Sequence, residues 1–187
     1  MAKQLWPEYL MVTGEDGSAL TNTTTPTSLL PVSRRFTTSS NFFGAVADAL
    51  GFVASGRIST VVTTPGTLTL DLRMGATVVW TSGAMALNVV AKSNVSWKLC
   101  LDLALRSFSS TTAAFMGMGY WMSEAVIGSP LPSAGGSGVL LLPANTPAAG
   151  NTFDPSAALV LDMYGTWSVA NASNSIQCHM AELVSKN

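Results

Sequence analysis

From residue 51 onward the chain alternates apolar and polar side chains, the period-2 signature of strands with one face in a core. The clearest run is Trp97 to Arg106. Trp97, Leu99, Leu101, Leu103 and Leu105 fall on one face, and Lys98, Asp102 and Arg106 on the other. A helix would scatter that set around its axis. Leu68, Leu70 and Leu72 repeat the pattern after the turn signal Pro65-Gly66. Residues 113–123 differ, because Phe115, Gly117, Gly119 and Trp121 oppose Met116, Met118, Tyr120 and Met122. Both faces are apolar, so this strand is expected to be buried on both sides. A sandwich strand whose outer face meets another subunit would look like this.

Runs at 52–62, 76–81, 84–90, 139–142, 159–169 and 175–184 bring the number of strands to nine. Ser82-Gly83 suits a tight hairpin between the runs at 76–81 and 84–90. In the run at 159–169, Leu159, Leu161, Met163 and Trp167 face one way, with Asp162, Thr166 and Ser168 opposite. Many short strands punctuated by turns predict a sandwich or barrel. Asn41 to Leu50 is the single helix candidate, with Phe42, Phe43, Val46 and Leu50 near helical spacing and Asn41 as its cap.

Residues 1–40 hold neither period. Polar stretches such as Thr21 to Thr25 and Thr37 to Ser40 are interspersed with Leu5, Trp6, Tyr9, Leu20, Leu29 and Leu30. A disordered tail would lack those apolar residues. The chain therefore divides into an extended N-terminal arm at 1–40 and a β-sandwich domain at 41–187. The arm is expected to lie on this domain or on a neighbour. Its removal over residues 1–30 is expected to weaken attachment while leaving the sandwich folded.

Composition sharpens this picture. Hydrophobic residues make up 48% of the 187, enough for a sizeable core, but charged residues only 10%. A typical soluble domain carries about 25% charge. Residues 107–153 contain one charged side chain, Glu124. Depletion of charge on this scale points to surfaces covered by partner subunits. A net charge of −1 leaves no basic excess for phosphates, so direct nucleic-acid binding is not expected. Arg34-Arg35 reads as a solvated turn. No apolar run reaches the ~20 residues of a membrane span, and no secretory signal opens the sequence. Synthesis and folding in a cytoplasm are expected.

Candidate chemistry is sparse. His179 is the single histidine, so a two-histidine metal site is excluded. Cys178 and His179 are adjacent in a strand and should point to opposite faces. Cys100 and Cys178 are expected to be free buried thiols. A Cys100–His179 nucleophile pair has no local support. Asp71, Asp102 and Asp162 sit mid-strand on polar faces, where they are expected to be exposed or paired across strands with Arg73, Lys98 and Arg106. Trp97, Trp121 and Trp167 fit core positions better than a sugar platform. No catalytic, cofactor or metal residue is assigned, and no binding residue is singled out. An enzyme is not expected.

Several segments resemble small structural proteins of tailed double-stranded DNA bacteriophages. They are Ser55 to Ser59, Pro65 to Arg73, Trp97 to Arg106, Phe153-Asp154-Pro155, Trp167 to Ala170 and Asn174-Ser175-Ile176. The resemblance covers about residues 50 to 187. It implies a jelly-roll-like domain on a virion, of head-decoration, cement or head-spike type, with trimers frequent. The expected fold is thus an all-β, jelly-roll-like antiparallel sandwich with an N-terminal arm. Its expected partners are further copies of itself, as a trimer, and virion proteins such as the major capsid protein. Two rivals are a carbohydrate- or receptor-binding tip, using loops 129–138 and 143–155, and a major jelly-roll capsid subunit.

Overall fold

The computed structural model describes residues 7–126 and 138–186. Two antiparallel sheets face each other across one apolar core. Among the described residues from 49 onward there are nine strands: β5 (Ala49–Thr60), β6 (Thr67–Met74), β7 (Thr77–Thr81), β8 (Met85–Ala86), β9 (Lys92–Phe108), β10 (Ala113–Met122), β11 (Val139–Leu142), β12 (Val160–Trp167) and β13 (Ser175–Ser185). Each run read from the sequence has its counterpart, although the run at 84–90 shrinks to two residues. Four short strands precede them: β1 (Glu8–Thr13), β2 (Leu20–Thr21), β3 (Thr27–Ser28) and β4 (Phe36–Thr37). Sheet A runs β1-β13-β5-β9-β10-β11, with β2 also on β13. Sheet B runs β3-β12-β6-β7, with β4 on β12 and β8 on β6. The architecture is an all-β, jelly-roll-like sandwich.

Alternation sets which face is buried. Trp97, Leu99, Leu101, Leu103 and Leu105 of β9 all turn inward, as do Leu68, Leu70 and Leu72 of β6. Trp97 stacks on Trp121 with ring centres 4.9 Å apart, and Trp167 is equally buried, so these three indoles are core residues. Trp80 of β7 crosses the core and donates its indole N–H to the Gly117 carbonyl at 3.1 Å. A side chain at Gly117 would strike the Trp80 ring and Leu103. Glycine here lets the two sheets approach.

The arm segment lies on its own sandwich from residue 7 on. β1 and β2 pair with β13, and β3 and β4 with β12, so the arm forms one edge of each sheet. Its pairing covers edge groups that would otherwise template foreign strands. Leu20, Leu29 and Leu30 sink into the core. Removing residues 1–30 would therefore open the core, which corrects the expectation that truncation leaves the sandwich intact.

Four other local readings need correction. Asn41 to Leu50 is not a helix: Asn41 and Ala47 adopt positive φ of 58° and 77°. The Asp48 carboxylate accepts the Gly44 and Ala45 N–H groups at 2.7 and 3.1 Å, closing a turn before β5. Ser82-Gly83 is not a hairpin, because β7 and β8 both pair with β6. Ser82 stays in register, its N–H donating to the Leu70 carbonyl and its Oγ accepting the Leu70 N–H, both at 2.8 Å. Asp162 is buried rather than exposed, and Arg35 leaves the turn at 32–34 to reach it at 3.2 Å. Cys100 is only half-buried, because it falls on the outer face of β9. Trp6 and most of loop 129–138 lie outside the described residues.

Candidate interaction surface

The outer face of sheet A is built by register. Three cross-strand rows run over it. The first is Met180, Ser55, Lys98, Met122 and Val139. The second is Glu182, Val53, Cys100, Tyr120 and Leu141. The third is Val184, Gly51, Asp102 and Met118. The apolar second face of β10 is thus real, but nothing among the described residues covers it. Met118 is 49% exposed, Met122 44% and Leu141 66%. The expected burial of β10 on both sides is not met within one chain. Exposed apolar side chains gathered on one sheet face make it the candidate interaction surface, and methionines pack adaptably.

A depression of about 250 Å³ sits in the middle of this face. Gly51, Val53, Cys100, Gly119, Tyr120, Val184 and Lys186 are among the residues that line it. Lys186 crosses Gly51 to reach the Asp102 carboxylate. A side chain at Gly51 would meet Lys186, so glycine permits that crossing. The Cys100 thiol, bonded to the Tyr120 hydroxyl, holds that phenol above its ordinary value, with the Asp102 charge adding to the effect. Cys178 faces the core instead, and burial pushes its thiol up to about 11. Only Cys100 is placed to meet solvent.

The other candidate groups do not converge. His179 sits at a bulge in β13, while Cys100 lies on β9 with β5 between them. Arg57 donates its Nε–H to His179 Nε2 at 2.9 Å. Guanidinium can only donate, so the ring proton is on Nδ1, facing the Asp16 carboxylate at 2.5 Å. This chain of contacts ties the turn after β1 to sheet A. Asp102 is on the outer face of sheet A, whereas Asp71 and Asp162 are on that of sheet B, paired with Arg73 and Arg35. Among the described residues no group of three His, Cys, Asp or Glu side chains is placed to hold a metal ion. In loop 143–155 the aromatic residue is Phe153, which is buried against Phe115 at 5.3 Å. No described helix is long and apolar enough to cross a membrane.

No protein-family model and no curated protein matches the chain. A solved structure to which it is similar is the CBM2 module of the evolved Dit protein of Lactobacillus casei BL23 phage J-1. The two are 9% identical with a TM-score of 0.33, over 82% of this chain and 69% of that one.

Proposed function

We infer that this chain is a structural subunit of a bacteriophage virion, of capsid-decoration or head-spike type, that works by packing against other subunits. The observation that carries the reading is the outer face of sheet A. Eight exposed apolar side chains, Tyr9, Val12, Met118, Tyr120, Met122, Val139, Leu141 and Met180, share one face of one sheet. Burial of such a face against a partner gains about 25 cal/mol per Å² of apolar surface, less the ordering cost of association. The sequence resemblance supplies the virion setting, and the low charge of residues 107–153 fits a covered surface. The expected assembly is a trimer that also contacts the major capsid protein. Proteomic counting of purified particles from the virus that encodes the chain tests this. A multi-copy component is expected, and absence from the particles would overturn the reading.

A further inference from the structure

We propose that His179 is a proton-operated switch: its neutral ring holds the Arg57 side chain against sheet A, and protonation releases that side chain while the arm stays latched. Two charged groups reach the ring from two different elements. Asp16, in the turn after β1, faces Nδ1 at 2.5 Å, and Arg57 of β5 donates to Nε2 at 2.9 Å. The neutral ring serves both at once, as donor to Asp16 and acceptor from Arg57. An imidazolium cannot, because it carries a proton on each nitrogen and Nε2 no longer accepts. Two cations then stand nitrogen to nitrogen, which drives the guanidinium away. The attraction to Asp16 grows at the same step. Protonation therefore breaks one contact and strengthens the other.

The neighbouring charges are engaged elsewhere. Glu15, beside Asp16, is held by Ser33 and Arg34. On β13 itself the Cys178 thiol faces the core, and Glu182 lies along the outer face opposite Val53. Lys98 of β9 is one strand further out, beyond Ser55. The backbone around the ring is fixed by bonds that do not titrate near neutrality. The Gly17 N–H donates to the Cys178 carbonyl, and Gln177 Nε2 donates to the Gly17 carbonyl, both at 2.9 Å. A side chain at Gly17 would strike the Leu29 carbonyl, so the turn is wedged between β13 and the rest of the arm. Trp97 donates its indole N–H to the Arg57 and Gln177 carbonyls, each at 3.2 Å. The exposed Arg57 side chain is thus the part free to move. Acid leaves an imidazolium and a mobile guanidinium beside Met180, at one side of the outer face of sheet A.

His179 is the single histidine of the chain, and histidine is the side chain whose ordinary value lies between pH 5 and 8. Nitrogen-15 NMR of the full chain across that range reads the switch directly. At about pH 8, Nδ1 alone should carry a ring proton and the Arg57 Nε–H should be protected from exchange. At about pH 5, both ring nitrogens should be protonated. The Arg57 Nε–H protection factor should then fall about tenfold, as for loss of one hydrogen bond made by a charged group. The Gly17 amide should keep its resonance and its protection throughout. A neutral ring protonated on Nε2, or an Arg57 signal indifferent to pH, would overturn the proposal. So would a Gly17 amide that loses protection in acid, because the arm would then be released with the side chain. His179→Leu offers Arg57 no acceptor and should show the released signal already at about pH 8. Protection that persists in this variant would mean that another group holds Arg57, and the switch would be wrong.

Discussion

The two outer faces of this sandwich have opposite chemistry. On sheet B, Thr69, Asp71, Arg73, Asp162, Tyr164 and Thr166 point outward, and Asp71, Arg73 and Tyr164 are tied to one another. The Arg73 guanidinium lies 4.1 Å from the Tyr164 ring centre and 3.4 Å from the Asp71 carboxylate. Asp162 accepts the Ser28 hydroxyl at 2.8 Å and pairs with Arg35. This face is finished within one chain, by its own ion pairs and by the arm. Sheet A instead leaves methionine, tyrosine and leucine exposed on β10 and β11. The contrast teaches that the exposed apolar side chains gather on one face of the sandwich, while ion pairs and the arm close the other.

Substitutions on the outer face of sheet B should act on folding alone and those on the outer face of sheet A on association alone, while loss of the arm, which edges both sheets, should act on folding. The largest effect is expected from deleting residues 1–30. Loss of buried Leu20, Leu29 and Leu30 should cost about 6 kcal/mol, which circular dichroism would register as loss of the cooperative melt. Arg35→Ala comes next. It strands the buried Asp162 carboxylate and should cost about 3 kcal/mol in denaturant unfolding. Burial already raises Asp162 above its ordinary value of 3.8 despite Ser28 and Arg35. A carboxyl raised in the folded state binds its proton more tightly there than in the unfolded chain. Its contribution to stability is present below the ordinary value and is lost as pH rises through the raised one. Arg35→Ala should therefore lose most at neutral pH and recover as pH falls toward 3.8.

On sheet A, Tyr120→Asp should leave the melt of the single chain within about 0.5 kcal/mol and weaken association about tenfold or more. Thiol labelling should modify Cys100 and spare Cys178, more slowly at concentrations where the chains associate. Thr69→Lys on sheet B should be the mildest change, with stability within about 0.5 kcal/mol and association unaltered. Weakened association in that variant would erase the difference between the faces.

Much of this fold was legible because strand alternation is local. Nine runs could be read residue by residue, and the second apolar face of β10 was visible in Met116, Met118, Tyr120 and Met122. What stayed hidden depends on distant partners. β3 and β4 are two residues each, too short for any period, and exist because β12 offers them an edge. Asp162 looks like any surface acid until Ser28 and Arg35 are brought across from the arm. Ser82-Gly83 carries a hairpin signal, but the Leu70 backbone holds Ser82 in the ladder. Phe42 and Phe43 imitate helical spacing, while a single carboxylate, Asp48, decides for a turn. The depression over Gly51 and Gly119 was invisible, since it arises from two glycines on strands far apart in sequence, flanking β9.

The most direct test of the central claim is the mass of the full chain in solution, followed by light scattering over a wide concentration range beside Tyr120→Asp. The account predicts that the wild type is a stable multiple of the chain mass and that the variant falls toward a folded monomer. A wild type that stays monomeric and soluble at the highest concentration would contradict it.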